Sequence, residues 1–139
     1  MNAKEFLRQI RKLDKMIANK EAEVQQLKEY ATSISSNMSG ERVQSSGNPQ
    51  KISDAINKYI DLEREAQLDK VMLEDKRREI IVVIEQLDNP LHYDVLYKHY
   101  VEMKKLTVVA EEVHYSYAYI LEIHHDAAEK VGKILNNPI

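Results

Sequence analysis

Apolar residues recur every seven positions through the first forty residues of this chain, at two offsets. One register reads Ala3, Ile10, Ile17, Val24, Ala31 and Met38; its companion reads Phe6, Leu13, Lys20, Leu27 and Ile34. Alternating spacings of three and four place both sets on one stripe of an α-helix, and no strand has that period. At 1.5 Å per residue the helix is roughly 50 Å long. One stripe on so long a helix is not buried by itself, so a second long element must face it. Lys20 is the one polar residue in the stripe; its stem is expected to lie along the apolar surface while its ammonium reaches water.

The pattern breaks at residues 39–50, SGERVQSSGNPQ, where two Gly, three Ser and a Pro favour turns over helix. A twelve-residue loop is therefore expected there. Ser53, with Ile52 and Ile56 beside it, suits the start of the next helix. Near-heptad spacing then resumes through Ala55, Tyr59, Leu62, Ala66, Leu73, Ile80, Val83 and Leu87, interrupted by Asp69 and Lys76. Asn89-Pro90 ends this second helix, because a residue before proline avoids the helical region. Two helices of similar length joined by one loop predict an antiparallel hairpin with apolar surface left over for a third element or a second chain.

Only 3 Gly and 3 Pro occur in 139 residues, so elements are long and turns few. Cys is absent, which excludes disulfides and thiolate metal sites and is compatible with a reducing cytoplasm. The longest apolar run, Ile80 to Ile84, is far short of a membrane span, and MNAKEFLRQIRK has no signal-peptide core. A soluble cytoplasmic protein, with no membrane partner, is the expectation. The net charge of −3 gives no global attraction to polyanions. By segment, residues 1–39 carry 7 basic and 5 acidic residues, residues 40–89 carry 8 and 11, and residues 90–139 carry 5 and 7. The basic end is the N-terminus, where Arg8, Arg11, Lys12 and Lys15 lie on and around one helix face.

The last third is chemically distinct. Six of the 8 Tyr lie between residues 93 and 119, and all 5 His between 92 and 125. Residues 91–103 predict a third helix, Thr107–Val113 a fourth, and Tyr117 to about Leu135 a last one, stopped at Asn136-Asn137-Pro138. Domains are therefore expected at 1–89, a coiled-coil-like hairpin with its loop at 39–50, and at 90–139. Within the second, KKLTVVAEEVHYSYAYILEIHH has the pattern of a helix-turn-helix. Val108, Val109, Val113, Ile120 and Ile123 supply an apolar skeleton. Thr107 is expected to cap the first helix and Ser116 the second. Ala110 is small where the helices cross, and His114-Tyr115 make the turn, with His114 where a glycine is common.

The stretch from Tyr93 to Val131 (V-L-Y-K-H-Y-V, then L-T-V-V-A-E-E-V, then Y-S-Y-A-Y-I, then A-A-E-K-V) resembles sigma-70 region 4. The whole chain, including MNAKEFLRQIRKLDKMI and the loop GERVQSSG, is similar to small phage and prophage regulators of transcription with a sigma region 4-like end. The resemblance implies an all-α fold: a long antiparallel helical hairpin followed by a small sigma region 4-like helix-turn-helix bundle. It implies a phage-type transcriptional regulator, touching promoter DNA or RNA polymerase through the last helix, with a homodimer supplying a second half-site. Carried over by position, Tyr117, Ala118, Tyr119, Leu121, Glu122 and His125 would face bases, and Thr107 and Ser116 would meet phosphates.

The last helix departs from the pattern in charge. Its exposed positions hold Ala118, Glu122 and Asp126 where arginine or lysine is usual. Phosphate affinity comes from Lys and Arg, so these residues point to an alternative: a protein-binding module whose acidic, Tyr-rich surface docks a host nucleic-acid-handling protein. The bland readings are solvated charge for Lys76-Arg77-Arg78, flanked by Glu74, Asp75 and Glu79, and core packing for Tyr93, Tyr97 and Tyr100. Adjacent His124 and His125 point about 100° apart, and no carboxylate or thiol completes a metal set with His92 and His99. With no Gly-rich phosphate loop and no nucleophile–His–acid set, neither catalysis nor a cofactor or metal is expected.

Overall fold

The computed structural model describes residues 2–40 and 47–137, all of them helix or connecting turn with no strand. Helix α1 spans Ala3–Leu7, α2 Gln9–Gly40, α3 Gly47–Ile84 and α4 Pro90–Leu96. A π-helical turn follows at Tyr97–Val101, then α5 at Leu106–Val113 and α6 at Tyr117–Asn136. The fold class is all-α, as the periodicity requires. No helix among the described residues is long and apolar enough to cross a membrane.

Several boundaries differ from the sequence expectation. Ser39 and Gly40 still belong to α2, and α3 already begins at Gly47, so both ends of the segment 39–50 are helical. Pro49 is tolerated because it sits in the first turn of α3, where its missing N–H has no partner to lose. Residues 41–46 lie outside the described residues, as does the side chain of Met38. Ser53 is an exposed position inside α3, not its start. At the other end α3 stops at Ile84, with i to i+3 bonds Gln86 N to Val83 O and Leu87 N to Ile84 O tightening the chain. Asn89-Pro90 instead begins α4: the Asn89 side chain accepts the N–H of Leu91 at 2.8 Å, and Pro90 takes the first helical position.

The chain divides into two compact units, residues 1–12 with 73–139, and residues 13–72. The division falls elsewhere than Asn89-Pro90, because the first residues share a core with the last third. Phe6, Leu7 and Ile10 pack with Ile80 and Ile84, with Leu96, Tyr100 and Val101, and with Ala127 and Val131 of α6. A smaller cluster joins Val95 to Val109 and Ala110 of α5 and to Ile120 and Ile123 of α6. The π-turn is marked by the bond from Glu102 N to Tyr97 O, five residues back. Its extra residue accommodates two adjacent inward side chains, Tyr100 and Val101. Arg77 donates to the carbonyl of Val101 at 3.3 Å.

In the second unit, α2 and α3 run antiparallel: Lys20 pairs with Asp69, while Lys28, further along α2, pairs with Glu63, earlier in α3. Ile17, Val24 and Ala31 of α2 and Ala55 and Ala66 of α3 are buried, and the companion positions Leu13, Leu27 and Leu62 are half-buried. The ammonium of Lys20 keeps access to water but is also paired. It lies 2.7 Å from Asp69, with Glu65 at 3.9 Å. Charge pairs Glu21–Lys70 and Glu23–Lys58 line the rims.

Candidate nucleic-acid interface

The α5–α6 pair is built by its turn. The backbone at His114 is left-handed (φ 63°), and Tyr115 N donates to Ala110 O at 3.1 Å, closing α5. That conformation normally falls to glycine, since a Cβ crowds the backbone there. Two residues later Ser116 caps α6, its hydroxyl accepting the N–H of Tyr119 at 3.2 Å. Thr107 does not cap α5: the capping position is Lys105, whose side chain makes no such bond, and Thr107 lies one residue inside the helix. The apolar skeleton holds at Val109, Ala110, Ile120 and Ile123, all buried, and at half-buried Val113; Val108 faces outward.

All eight residues expected to meet a partner are exposed: Thr107, Ser116, Tyr117, Ala118, Tyr119, Leu121, Glu122 and His125. On α6, Ala118, Glu122, His125 and Glu129 follow at steps of four and three and so share one face. The aromatic rings cluster at the cap, where Tyr115 and Tyr119 lie 5.1 Å apart between centroids. Two lysines near this pair, Lys98 and Lys104, are already engaged. Glu112 holds Lys98 at 3.1 Å and Lys104 at 2.9 Å, and Glu102 lies 3.6 Å from Lys104. The hydrogen bonds from Lys104 and Lys98 hold the Glu112 carboxyl below its usual range.

Free positive charge reaches α6 from the other end of the sequence. Helix α1 packs on α6, where a Cβ at Gly132 would stand 3.8 Å from that of Ala3. Asn2, Ala3 and Lys4 line a shallow groove with His125, Ala128 and Glu129. Behind it, the Tyr100 hydroxyl and His124 Nε2 are 2.6 Å apart, and His99 Nδ1 donates to Lys104 O at 2.7 Å. The His99 and His124 rings meet edge to face at 5.4 Å. Burial, then the fields of His99, Lys4, Arg8 and His125, push His124 down to about 4. His99 is lowered by burial and by Arg11 and Arg8, so both histidines are neutral at pH 7. Lys4 thus stands beside α6 at His125 and Glu129, Arg8 acts on His124, and Arg11 acts on His99. None of the three makes an ion pair among the described residues.

Of the basic patch read from sequence, Arg8, Arg11 and Lys12 are exposed in this unit, and Lys15 is exposed in the other. Sequence reasoning missed Lys4 and the His99–Tyr100–His124 cluster. The concentration of His and Tyr in the last third was the available signal for the cluster. Tyr100 is core, while Tyr93 and Tyr97 are half-buried with rings 5.7 Å apart. His92 is also buried, and its Nδ1 has no hydrogen-bond partner. Burial lowers its pKa. No group of three or more His, Asp or Glu suited to a metal ion occurs among the described residues. Comparison with protein-family models, curated proteins and solved structures finds no match to this chain.

Proposed function

We propose that the protein is a phage-type transcriptional regulator that binds duplex DNA, with α5–α6 acting as a sigma region 4-like helix-turn-helix. The observation that carries this reading is the packing of α1 on α6, which sets Lys4 in a groove with His125 and Glu129 and brings Arg8 within electrostatic reach of His124. Helix α6 is poor in Lys and Arg, and Lys4, beside His125 and Glu129, would supply a cation at the edge of its exposed face. Phosphates would be met by the N-terminal cations and by Ser116 and Thr107 at the helix starts. Base edges would be met by Tyr117, Ala118, Tyr119, Leu121, Glu122 and His125, with Glu122 suited to accept from a cytosine amino group. The affinity of such a surface falls steeply with salt. Selection from a random duplex library at low salt, followed by anisotropy titrations at rising salt, tests the reading. Retention of no duplex at low salt would defeat it.

A second reading rests on a different observation. Val108, Tyr115, Tyr117, Tyr119 and Leu121 are all exposed on the α5–α6 pair, next to Glu122. An apolar, aromatic surface with an acidic edge suits a basic protein surface. The partner is then RNA polymerase or another host nucleic-acid-handling protein. Capture of one protein that persists after nuclease treatment, and is lost in Tyr117→Ser, distinguishes this reading from DNA binding.

A further inference from the structure

Helix α3 carries two heptad seams on opposite faces. The first faces α2 in the second unit, through Ala55, Leu62, Ala66 and Asp69. The second reads Asp61, Arg64, Leu68, Val71, Asp75, Arg78, stepping by three and four, and every one of these residues is exposed. Leu68 and Val71 are 61% and 55% exposed, large values for branched aliphatic residues at the centre of a helix seam. Asp61, Arg64, Asp75 and Arg78 make no ion pair among the described residues. A seam of this period, with an apolar centre and charged ends, has the spacing that a second helix would match in a coiled coil.

The order of the charges identifies that strand. From Asp61 to Arg78 the signs run minus, plus, minus, plus, and read backwards they are inverted position by position. A helix with that property is complementary to itself when reversed. We propose that α3 pairs antiparallel with α3 of a second copy, about a two-fold axis between Asp69 and Lys70. Leu68 then packs against Val71 of the second copy, Arg64 meets its Asp75, and Asp61 meets its Arg78. Symmetry makes each contact twice, as an isologous interface requires. The alternating three-and-four spacing puts these partners in the same layers of an antiparallel coiled coil. The paired stretch is about 25 Å long at 1.5 Å per residue. A parallel pairing in register would set like charges against each other along the seam, which is destabilising. The inference is independent of whether the α5–α6 surface binds DNA or protein.

Sedimentation equilibrium over a wide concentration range tests it. The expected species has twice the 16.2 kDa mass of one chain. Arg64→Asp alone and Asp75→Arg alone should each raise the dimer dissociation constant at least about tenfold, because each sets two pairs of like charges together. Mixing these two variants should restore a heterodimer, since each then supplies the charge the other lacks, and the double variant should self-associate like the parent. Leu68→Glu with Val71→Glu should leave a monomer of unchanged helicity. Three results would overturn the proposal: a monomer at all concentrations, a dimer that survives Leu68→Glu with Val71→Glu, or charge swaps that fail to complement on mixing.

Discussion

Lys20 Nζ lies 2.7 Å from Asp69 Oδ2, so the polar residue that interrupts the seam of α2 and one of the two that interrupt the seam of α3 are each other's partners. Each seam looked flawed in isolation, and together the flaws neutralise. The hydrogen bond to Asp69 raises the Lys20 pKa above its ordinary value of 10.5. A raised folded value means that this contribution is fully present below 10.5 and is lost as pH rises through the folded pKa. Asp69→Leu strands a half-buried ammonium with only Glu65 at 3.9 Å and should lower the melting temperature clearly. Lys20→Leu combined with Asp69→Leu should be at least as stable as the parent, because apolar replacement of this part-buried pair extends the seam and removes both desolvation penalties. Thermal melts of the three proteins at neutral pH decide the matter, and a double variant weaker than the single one would contradict it.

The two helix starts of the α5–α6 pair should respond differently to loss of a hydroxyl. Ser116→Ala removes an observed cap and should cost about 1 kcal/mol. Thr107→Ala removes no cap and should stay within about 0.5 kcal/mol. Urea denaturation of both variants measures the difference. Equal losses would mean that Thr107 has a structural role not seen here.

The turn between the same helices stores strain at His114. His114→Gly relieves the left-handed penalty, partly offset by the greater freedom of glycine when unfolded, for a net gain of up to about 1 kcal/mol. His114→Val adds a β-branch in a conformation that such residues avoid and should cost about 1–2 kcal/mol. The measurement is again the urea midpoint, with an unchanged slope expected for both.

Acid should destabilise the first unit through its histidines. His124 is lowered from 6.5 to about 4 by burial first and then by the nearby positive groups. In that window the unfolded chain binds a proton that the folded chain refuses, so stability falls as pH drops from 6.5 towards 4. The loss from His124 is roughly 2 kcal/mol once its partial exposure is discounted. His99 and His92, lowered in the same direction, add to it. His124→Gln should flatten the stability–pH profile across this range. A profile as steep as the parent's would remove His124 from the account.

Replacing Lys4, Arg8 and Arg11 together by alanine should reduce the salt slope of duplex binding by about 3, one for each lost phosphate contact. Tyr117→Ser should weaken binding without changing that slope. Anisotropy titrations against a selected duplex give both values. An unchanged slope in the triple variant would place the phosphate contacts elsewhere.

How much of this was legible in the sequence depends on range. Seven-residue periodicity made α2 and α3 visible, because burial of one face repeats with the helix turn. Ser116 was legible because capping is a contact across three residues. Thr107 was misread because the helix already begins at Leu106, with Lys105 extended at the capping position two residues before Thr107. Asn89-Pro90 was read as an ending when it is a beginning: proline disfavours helix before it and suits the first position after it, and local sequence does not say which applies.

The sequence by itself determined the helical class, the positions of the long apolar seams and the turn between α5 and α6, since each rests on contacts within a few residues. Tertiary structure alone decided that Lys20 and Asp69 are partners, that Phe6, Leu7 and Ile10 share a core with α6, and that Lys4 stands beside a helix more than a hundred residues away in sequence. Periodicity says which face of a helix must be covered. It carries no information on which distant face covers it, because apolar burial is non-directional and many seams satisfy it equally well.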